Sequence, residues 1–327
     1  MTHGIPSKTI HIHRHQQHVK WSKQIPPVHT INSGDIIHFD AIDGSNGQIT
    51  KTSTKRALST FDLMLADPAV GPVFVTGAEP GDVLQVEILE LETTDWGWTA
   101  IFPGFGLLAD EFPEQVLKIW HLDPNLPYAL FKEGIRIPKR PFLGVMGVAP
   151  GKEGDFSMIP PMNTGGNIDC RYLTVGSKLY LPVQTPGALF SCGDGHIAQG
   201  DGEVCGTAIE TSLKATLRLS VHKNQPWITA PQFQTPPRPA GIHDADQALA
   251  ADKGEYATMG IDPDLLEAAR KATRNLIEWL VRNKGLTREE AYMLASVVGN
   301  LKITEIVDMP NYAVAMSLPL NIFVSES

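Results

Sequence analysis

Residues 71–92 read "GPVFVTGAEPGDVLQVEILELE", and this stretch decides the class of fold. Two apolar runs flank the turn Ala78-Glu79-Pro80-Gly81. In the second run Leu84, Val86, Ile88 and Glu90 alternate with Val83, Gln85, Glu87 and Leu89. A period of two marks a strand with one buried face. The even-numbered face is mostly apolar and is expected to meet the core, with Glu87 on the more polar side.

The same pattern recurs in both directions. "GDIIHFDAI" (34–42), "FLGVMGVAP" (142–150), "SKLYLPVQTPGALFSCG" (177–193) and "TAIETSLKATLRLSV" (207–221) all read as strands. In the last, Leu213, Ala215, Leu217, Leu219 and Val221 share one face. Pro186-Gly187 splits its run in the manner of a hairpin. The 29 glycines and 25 prolines among 327 residues punctuate the chain often, which favours short strands over long helices. Residues 95–140 are irregular and aromatic. Trp96, Trp98, Phe102 and Phe105 lie between glycines there, and would either wall a pocket or cap a barrel end.

The pattern changes after residue 224. A Pro-rich stretch, "PQFQTPPRPAG" (231–241), precedes two helices. Asp262 and Pro263 suit the N-cap and first position of the first. Its core-facing stripe is Leu265, Ala269, Ala272, Leu276 and Leu280, and Gly285 ends it. Thr287 and Glu290 form a capping box for the second. Strand-like runs at 301–308 and 312–320 follow. The expectation is a mainly β chain with an α+β elaboration. It would be a single domain over 1–327, with an α+β subdomain at about 225–310 and a C-terminal helical pair.

Apolar residues at 42% are enough for a sizeable core, and the net charge of −9 is spread out. No Lys/Arg run marks a nucleic-acid or anionic-membrane partner. No stretch is apolar enough to span a bilayer, and the polar N-terminus does not read as a signal peptide. Cys170, Cys192 and Cys205 are odd in number and form no CxxC pair, which fits a reducing, cytoplasmic setting. His11, His13, His15 and His18 alternate as in a strand, so the first three share a face. An exposed edge strand explains them without a metal.

Chemistry concentrates in "CGDGHIAQGDGEVCGTAI" (192–209). If this run is extended, Asp194 and His196 share a face, as do Asp201 and Glu203. Glycines between them permit close approach to an ion. Histidine with carboxylates suits Zn²⁺, Mn²⁺ or Fe²⁺, and carboxylates alone suit Ca²⁺. Two Asp-Gly turns would explain the glycines but not the clustering. "TGGNIDC" (164–170) offers Asn167 and Asp169, and "FDAIDGSNGQI" (39–49) offers Asp40 and Asp43 before an ordinary turn. Cys170 beside Asp169 is either a nucleophile or an inert buried thiol. P-loop, dinucleotide-binding, GxSxG and HExxH motifs are absent.

These residues resemble the acetamidase/formamidase family. The likeness rests on 164–210, on 71–91, and on "YATMGIDPDLLEAARKATRNLIEWL" (256–280) with "AYMLASVVGNLKITEIVD" (291–308), and covers about residues 25–320. It implies hydrolysis of short amides, formamide or acetamide, to ammonia and a carboxylate. It also implies a metal-containing soluble enzyme, a homodimer or higher homo-oligomer, and a CUB-like β-sandwich with a large α+β insertion. The family's acidic motif falls on Asp43, Asp169, Asp194, His196, Asp201 and Glu203. From this we expect His196, Asp194, Asp169 and Asp43 as ligands to Zn²⁺, with Ca²⁺ as the other candidate. Glu203 or Asp201 would be the general base, and Asn167 or a backbone N–H of Gly165-Gly166 would hold the oxyanion. Asn300 stands where many members carry Asp, which would lower the charge of the site by one. The alternatives are a Cys170 thioester route and a non-catalytic Ca²⁺-stabilised binding protein.

Overall fold

The computed structural model describes residues 10–237 and 252–323. The end of the Pro-rich stretch, 238–241, lies outside the described residues. Strand Val83–Thr93 pairs antiparallel with strand Leu213–His222 at the heart of a nine-stranded sheet. Its order is Ile10–Ile12, Ile36–Ala41, Leu213–His222, Val83–Thr93, Lys178–Pro182, Gln232–Gln234, Glu255–Asp262, Tyr312–Pro319 and Asn300–Glu305.

On the core side Leu84 opposes Val221, Val86 opposes Leu219 and Ile88 opposes Leu217. The even-numbered face is therefore buried as far as Ile88. A bulge follows, because Thr216 pairs with Glu90 and Leu89 has no opposite number. The extra residue switches the parity. Glu90 turns to solvent, and Leu91, opposite Ala215, packs against the core instead.

A six-stranded sheet lies across from the first. It runs Gly165–Asn167, Phe142–Val148, Phe190–His196, Ala69–Val75 and Gln17–His18, with His29–Ile31 alongside Ala69–Val75 in parallel. Phe142–Val148 and Phe190–His196 are buried along their whole lengths, so both of their faces are covered. Side chains of the two sheets form one apolar cluster, in which the Phe39 and Phe190 rings meet edge to face at 5.8 Å.

Pro186-Gly187 is not a hairpin turn. Lys178–Pro182 belongs to the large sheet and Phe190–His196 to the small one, so the chain crosses between sheets here. The turn at 78–81 crosses at the same end. Gly187 N–H donates to the Ala78 carbonyl at 2.8 Å and its own carbonyl accepts from Val75 N–H at 2.9 Å. The two crossings thus satisfy each other's backbone groups, and neither needs a paired hairpin.

Helices α1 (Leu265–Lys284) and α2 (Arg288–Val298) cover strands Glu255–Asp262 and Tyr312–Pro319 with their own apolar cluster. The α1 cap is Asp264, whose carboxylate accepts from Glu267 N–H, and not Asp262. Asp262 instead accepts from Asp264 N–H and pairs with Lys271. Ala268, Ala272, Leu276 and Leu280 form the fully buried stripe, with Ala269 only partly buried. Gly260 lets α1 lie directly on the strand, since a Cβ there would come 2.0 Å from the Ala268 carbonyl oxygen. Gly285 ends α1 in a left-handed conformation, and the Thr287–Glu290 capping box opens α2. No helix among the described residues is long and apolar enough to cross a membrane.

Candidate active site

Strand Phe190–His196 delivers Asp194 and His196 from one face, as the period of two requires. His196 Nε2 lies 3.0 Å from Asp194 Oδ2 and 3.1 Å from Glu210 Oε2, and Nδ1 lies 3.7 Å from Asp169 Oδ1. The Phe142 ring meets the imidazole edge to face at 4.9 Å. Glu210 is clamped by two backbone bonds to Trp98, of 2.8 and 2.9 Å. Its Oε1 accepts from Ala208 N–H, which leaves Oε2 for His196. Asp169 leaves strand Gly165–Asn167 with its N–H directed at the Gly144 carbonyl.

Glu203 sits in a turn tied to the next wall of the site by Gly202 N–H to the Thr304 carbonyl. That wall supplies Glu305 and Asp308. Glu305 Oε1 accepts from the N–H groups of Val307 and Asp308, and Oε2 is buried without a partner. Asn167 Nδ2 donates to Asp308 at 2.8 Å and, more weakly, to Asp67 at 3.4 Å.

Among the described residues, seven carboxyl groups therefore gather in one cluster with a single imidazole: Asp67, Asp169, Asp194, Glu203, Glu210, Glu305 and Asp308. All but the half-buried Asp67 are buried. Burial pushes Asp169 up to about 6, and Glu210 and Glu305 each up to about 8. Burial, reinforced by neighbouring carboxylates, holds Asp67, Glu203 and Asp308 well above the usual range. Burial also opposes ionisation of Asp194 and His196, but their mutual attraction outweighs it. Asp194 falls below its ordinary value and His196 rises well above.

Two glycines make room for this crowd. A Cβ on Gly144 would lie 2.5 Å from Asp194 Oδ2 and 2.6 Å from Asp169 Oδ1. One on Gly44 would lie 2.7 Å from Asp194 Oδ1 and 2.9 Å from Asp67 Oδ1. Four of the acids take left-handed backbone: Asp67 (φ 50°), Asp169 (φ 40°), Asp194 (φ 51°) and Glu203 (φ 46°). Such angles are uncommon for residues other than glycine and concentrate at functional sites.

Of the residues expected from sequence, Asn167, Asp169, Asp194, His196 and Glu203 come together. Asp201 does not join them. The run after His196 leaves the strand and turns, so Asp201 points outward and accepts from the Tyr172 hydroxyl at 2.6 Å. Asp43 is buried, but its carboxylate is committed elsewhere. Oδ1 accepts from Ser45 N–H, the Ser45 hydroxyl and Trp98 Nε1–H, and Oδ2 accepts from the Ser212 hydroxyl. It braces the turn that carries Gly44. Asn300 is exposed on an edge strand; Glu305 and Asp308 of the same stretch are the groups that reach the site.

Asp67, Glu210, Glu305 and Asp308 were not foreseen. Asp67 and Glu210 are single acids in unremarkable local sequence, Glu305 and Asp308 share one short stretch, and all four are recruited by the tertiary fold. Cys170 lies in the hydrophobic core, and burial pushes its thiol up to about 12, so it has no thiolate to offer. His11, His13 and His15 stack in sequence on an exposed face, as the alternation predicts. His18 instead turns inward to Ser191.

Two donor triads share His196: Asp169–His196–Glu203 and Asp194–His196–Glu210, with donor atoms inside each within 4.8 Å of one another. Both oxygens of Asp169, Oδ1 of Asp194, Oε2 of Glu210 and both nitrogens of His196 lack an aligned hydrogen-bond partner. A cavity of about 40 Å³ opens on the cluster and is walled by Phe61, Trp98, Phe102 and Phe105. The aromatic stretch after residue 95 thus walls a pocket.

The sequence matches the model of the Acetamidase/Formamidase family over residues 6–155 and 152–325. A formamidase from Methylophilus methylotrophus is 29% identical, with 94% of this chain and 89% of that protein covered. The crystal structure of an acetamidase from Bacillus halodurans superposes with a TM-score of 0.84 at 30% identity, covering 96% of this chain and 98% of the other. That of a predicted acetamidase/formamidase from Thermoanaerobacter tengcongensis gives a TM-score of 0.85, also at 30% identity, with 96% of each chain covered.

Proposed function

Because this chain belongs to the acetamidase/formamidase family and is an amide hydrolase, we propose that it releases ammonia from a short-chain amide with the help of a divalent cation at His196. The observation that carries the cation is the seven carboxyl groups crowded into one cluster that holds a single imidazole. Fully ionised, they would set seven negative charges against one positive in a site mostly closed to water. Buried charge of that kind needs a partner. The atoms without hydrogen bonds, and the two glycines that keep side-chain bulk out, support the same reading.

His196, Asp169, Asp194 and Glu210 are the residues suited to hold the ion. An imidazole nitrogen among oxygens favours Zn²⁺ over Ca²⁺, which prefers oxygen alone. When bound, such an ion lowers the pKa of water from ~15.7 toward ~7 and polarises an amide carbonyl. Glu203 borders the small cavity and is not needed as a fourth oxygen donor. Its high proton affinity, caused by burial and then by the charge of Asp169, suits a general base that accepts a proton from water and passes it to departing ammonia.

Asn167 takes a different role from the oxyanion donor expected from sequence. Its Nδ2 is committed to Asp308, and its free Oδ1 is an acceptor suited to the N–H of a substrate amide. Phe61, Trp98, Phe102 and Phe105 exclude water around the reacting group. A cavity of about 40 Å³ holds a few waters or one formamide- or acetamide-sized amide. Exposed Tyr292, Met293 and Val297 on α2, beside Leu301 and Ile303 on the edge strand, support a homo-oligomer, which light scattering on the purified protein would test.

The test combines elemental analysis, chelation and ammonia release from formamide, acetamide and propionamide. Glu203→Gln is expected to keep its bound metal and lose about 10²–10⁴ in kcat. Full turnover by exhaustively chelated, metal-free protein overturns the reading.

A further inference from the structure

We propose that the acyl side of the preferred substrate carries an apolar body ending in a negative charge, and that it lodges in a second, larger cavity beyond Glu203. This rests on the amide-hydrolase reading and goes beyond its short-chain substrate: the small cavity takes the reacting amide, and the preferred acyl group extends from it into the larger one. The second cavity has a volume of about 560 Å³. Glu203 and Thr207 line both it and the small cavity at the cluster, and so mark the boundary between them. Formamide or acetamide fills the small space alone and leaves the larger one without a purpose. A volume of this size is typical of sites that enclose a whole organic ligand.

The lining says what that ligand is. Trp120 and Phe131, with ring centroids 5.7 Å apart and the Lys118 ammonium over both at 4.6 and 5.1 Å, join Ile137 in a wall suited to an aryl or long alkyl group. The charged groups nearby are unevenly engaged. Arg140 and Arg171 line the cavity, and neither guanidinium has a carboxylate partner among the described residues. Arg140 is fixed close to the catalytic strand, because its N–H donates to the Ile197 carbonyl at 2.8 Å, one residue past His196. Of the two carboxyl groups that line it, Glu203 stands at the boundary with the small cavity and Asp201 is already held by the Tyr172 hydroxyl. Two guanidinium groups free to make paired hydrogen bonds beside an aromatic wall match an aryl- or alkyl-amide with a terminal carboxylate. The aromatic segment before residue 140, which builds this wall, thus sets specificity as well as shielding the reacting group.

The experiment compares phenylacetamide with para-carboxyphenylacetamide, a pair that differs only in the charge. In the wild-type holoenzyme kcat/KM is expected to favour the carboxylated amide by about tenfold or more, mainly through KM. Arg140→Met/Arg171→Met is expected to bring the ratio of the two close to one. Equal kcat/KM values in the wild type, or a preference that survives the double substitution, overturn the proposal. Calorimetry with para-carboxyphenylacetate, the acid product, reads the cavity without turnover. Binding that weakens at least about tenfold in the double variant supports the proposal, and binding that is absent or unchanged overturns it. Absence of ammonia from every amide, formamide included, overturns the hydrolase reading instead, and the calorimetric result still decides the question of the cavity.

Discussion

Gly144→Ala adds one methyl group to the floor of the site and changes nothing else by design. Gly144 has no left-handed φ, so alanine suits its backbone, and it lies in strand Phe142–Val148, where alanine is tolerated. The new Cβ would stand 2.5 Å from Asp194 Oδ2, 2.6 Å from Asp169 Oδ1 and 3.0 Å from His196 Cε1. Ordinary contact begins at 3.4 Å, so the two carboxylate oxygens must retreat by roughly 0.8–0.9 Å. A metal-ligand set is satisfied only within about 0.2 Å, and a misplacement of about 1 Å near the chemistry costs about 100-fold in rate. We therefore expect kcat for formamide and acetamide to fall at least about 100-fold, with metal affinity down about 10–100-fold. The fold should survive, since overpacking by one methyl costs about 1–3 kcal/mol. Ammonia release, elemental analysis and a thermal melt on one preparation report all three. Activity within about twofold of wild type at full metal content would refute the argument that this glycine keeps the cradle open.

Three further outcomes follow from the same structure. Burial holds His18 down to about 4, against 6.5 when unfolded, although a bond to the Lys20 backbone partly opposes this. The unfolded chain then binds more protons between these values, so the stability is present above pH 6.5 and is lost as pH falls toward 4, by up to about 3 kcal/mol. His18→Gln should flatten the fall of Tm between pH 7 and pH 5, and an unchanged slope would count against it. Cys170→Ala should keep kcat within about threefold while the small void costs about 1–2 kcal/mol, whereas a thioester route requires loss of nearly all activity. Asp67→Asn keeps the left-handed backbone comfortable and removes a carboxyl that burial and the charge of Asp194 make costly to ionise. In metal-free protein at pH 8 it should raise stability by about 1 kcal/mol or more, and a lower Tm there would contradict the crowding argument.

The legible parts of the sequence were those governed by local periodicity. Alternation located strands Val83–Thr93 and Leu213–His222, and capping chemistry located the end of α1 and the start of α2. The errors came where a local rule met a tertiary demand. The bulge at Leu89 reverses which face Leu91 presents, and nothing in "ILELE" announces it. Pro186-Gly187 looks like a hairpin because a turn between sheets needs the same residues as a turn within one. In the site, Asp194 and His196 obeyed the strand rule. Asp201 and Glu203 did not, since strand Phe190–His196 has ended before them and the chain is turning there. Asp67, Glu210 and the pair Glu305 and Asp308 converge from three separate segments. Their one signal was that each lies in or beside a buried, otherwise apolar run, where a lone acid is out of place.

The left-handed acids show how fold and function are traded in this molecule. An ordinary residue pays roughly 1–2 kcal/mol for that conformation, and glycine pays almost nothing. The chain does use glycine for such angles at Gly165, Gly166, Gly202 and Gly206, all close to the site. At Asp67, Asp169, Asp194 and Glu203 it keeps a carboxyl instead, and then buries or half-buries that carboxyl among others of like charge. Strain and charge crowding both oppose folding at the same four positions. Packing cannot be the reason for them, because a smaller neutral residue would relieve both. What they do supply is carboxyl groups held on a rigid frame before any substrate arrives, with Asp169 and Asp194 beside His196 and Glu203 at the small cavity. A cation held there, as proposed above, would offset the crowding, and its binding would then also be folding energy. The cost is then visible only in the metal-free protein, which is where the stability of this chain should be most sensitive to substitution in the cluster.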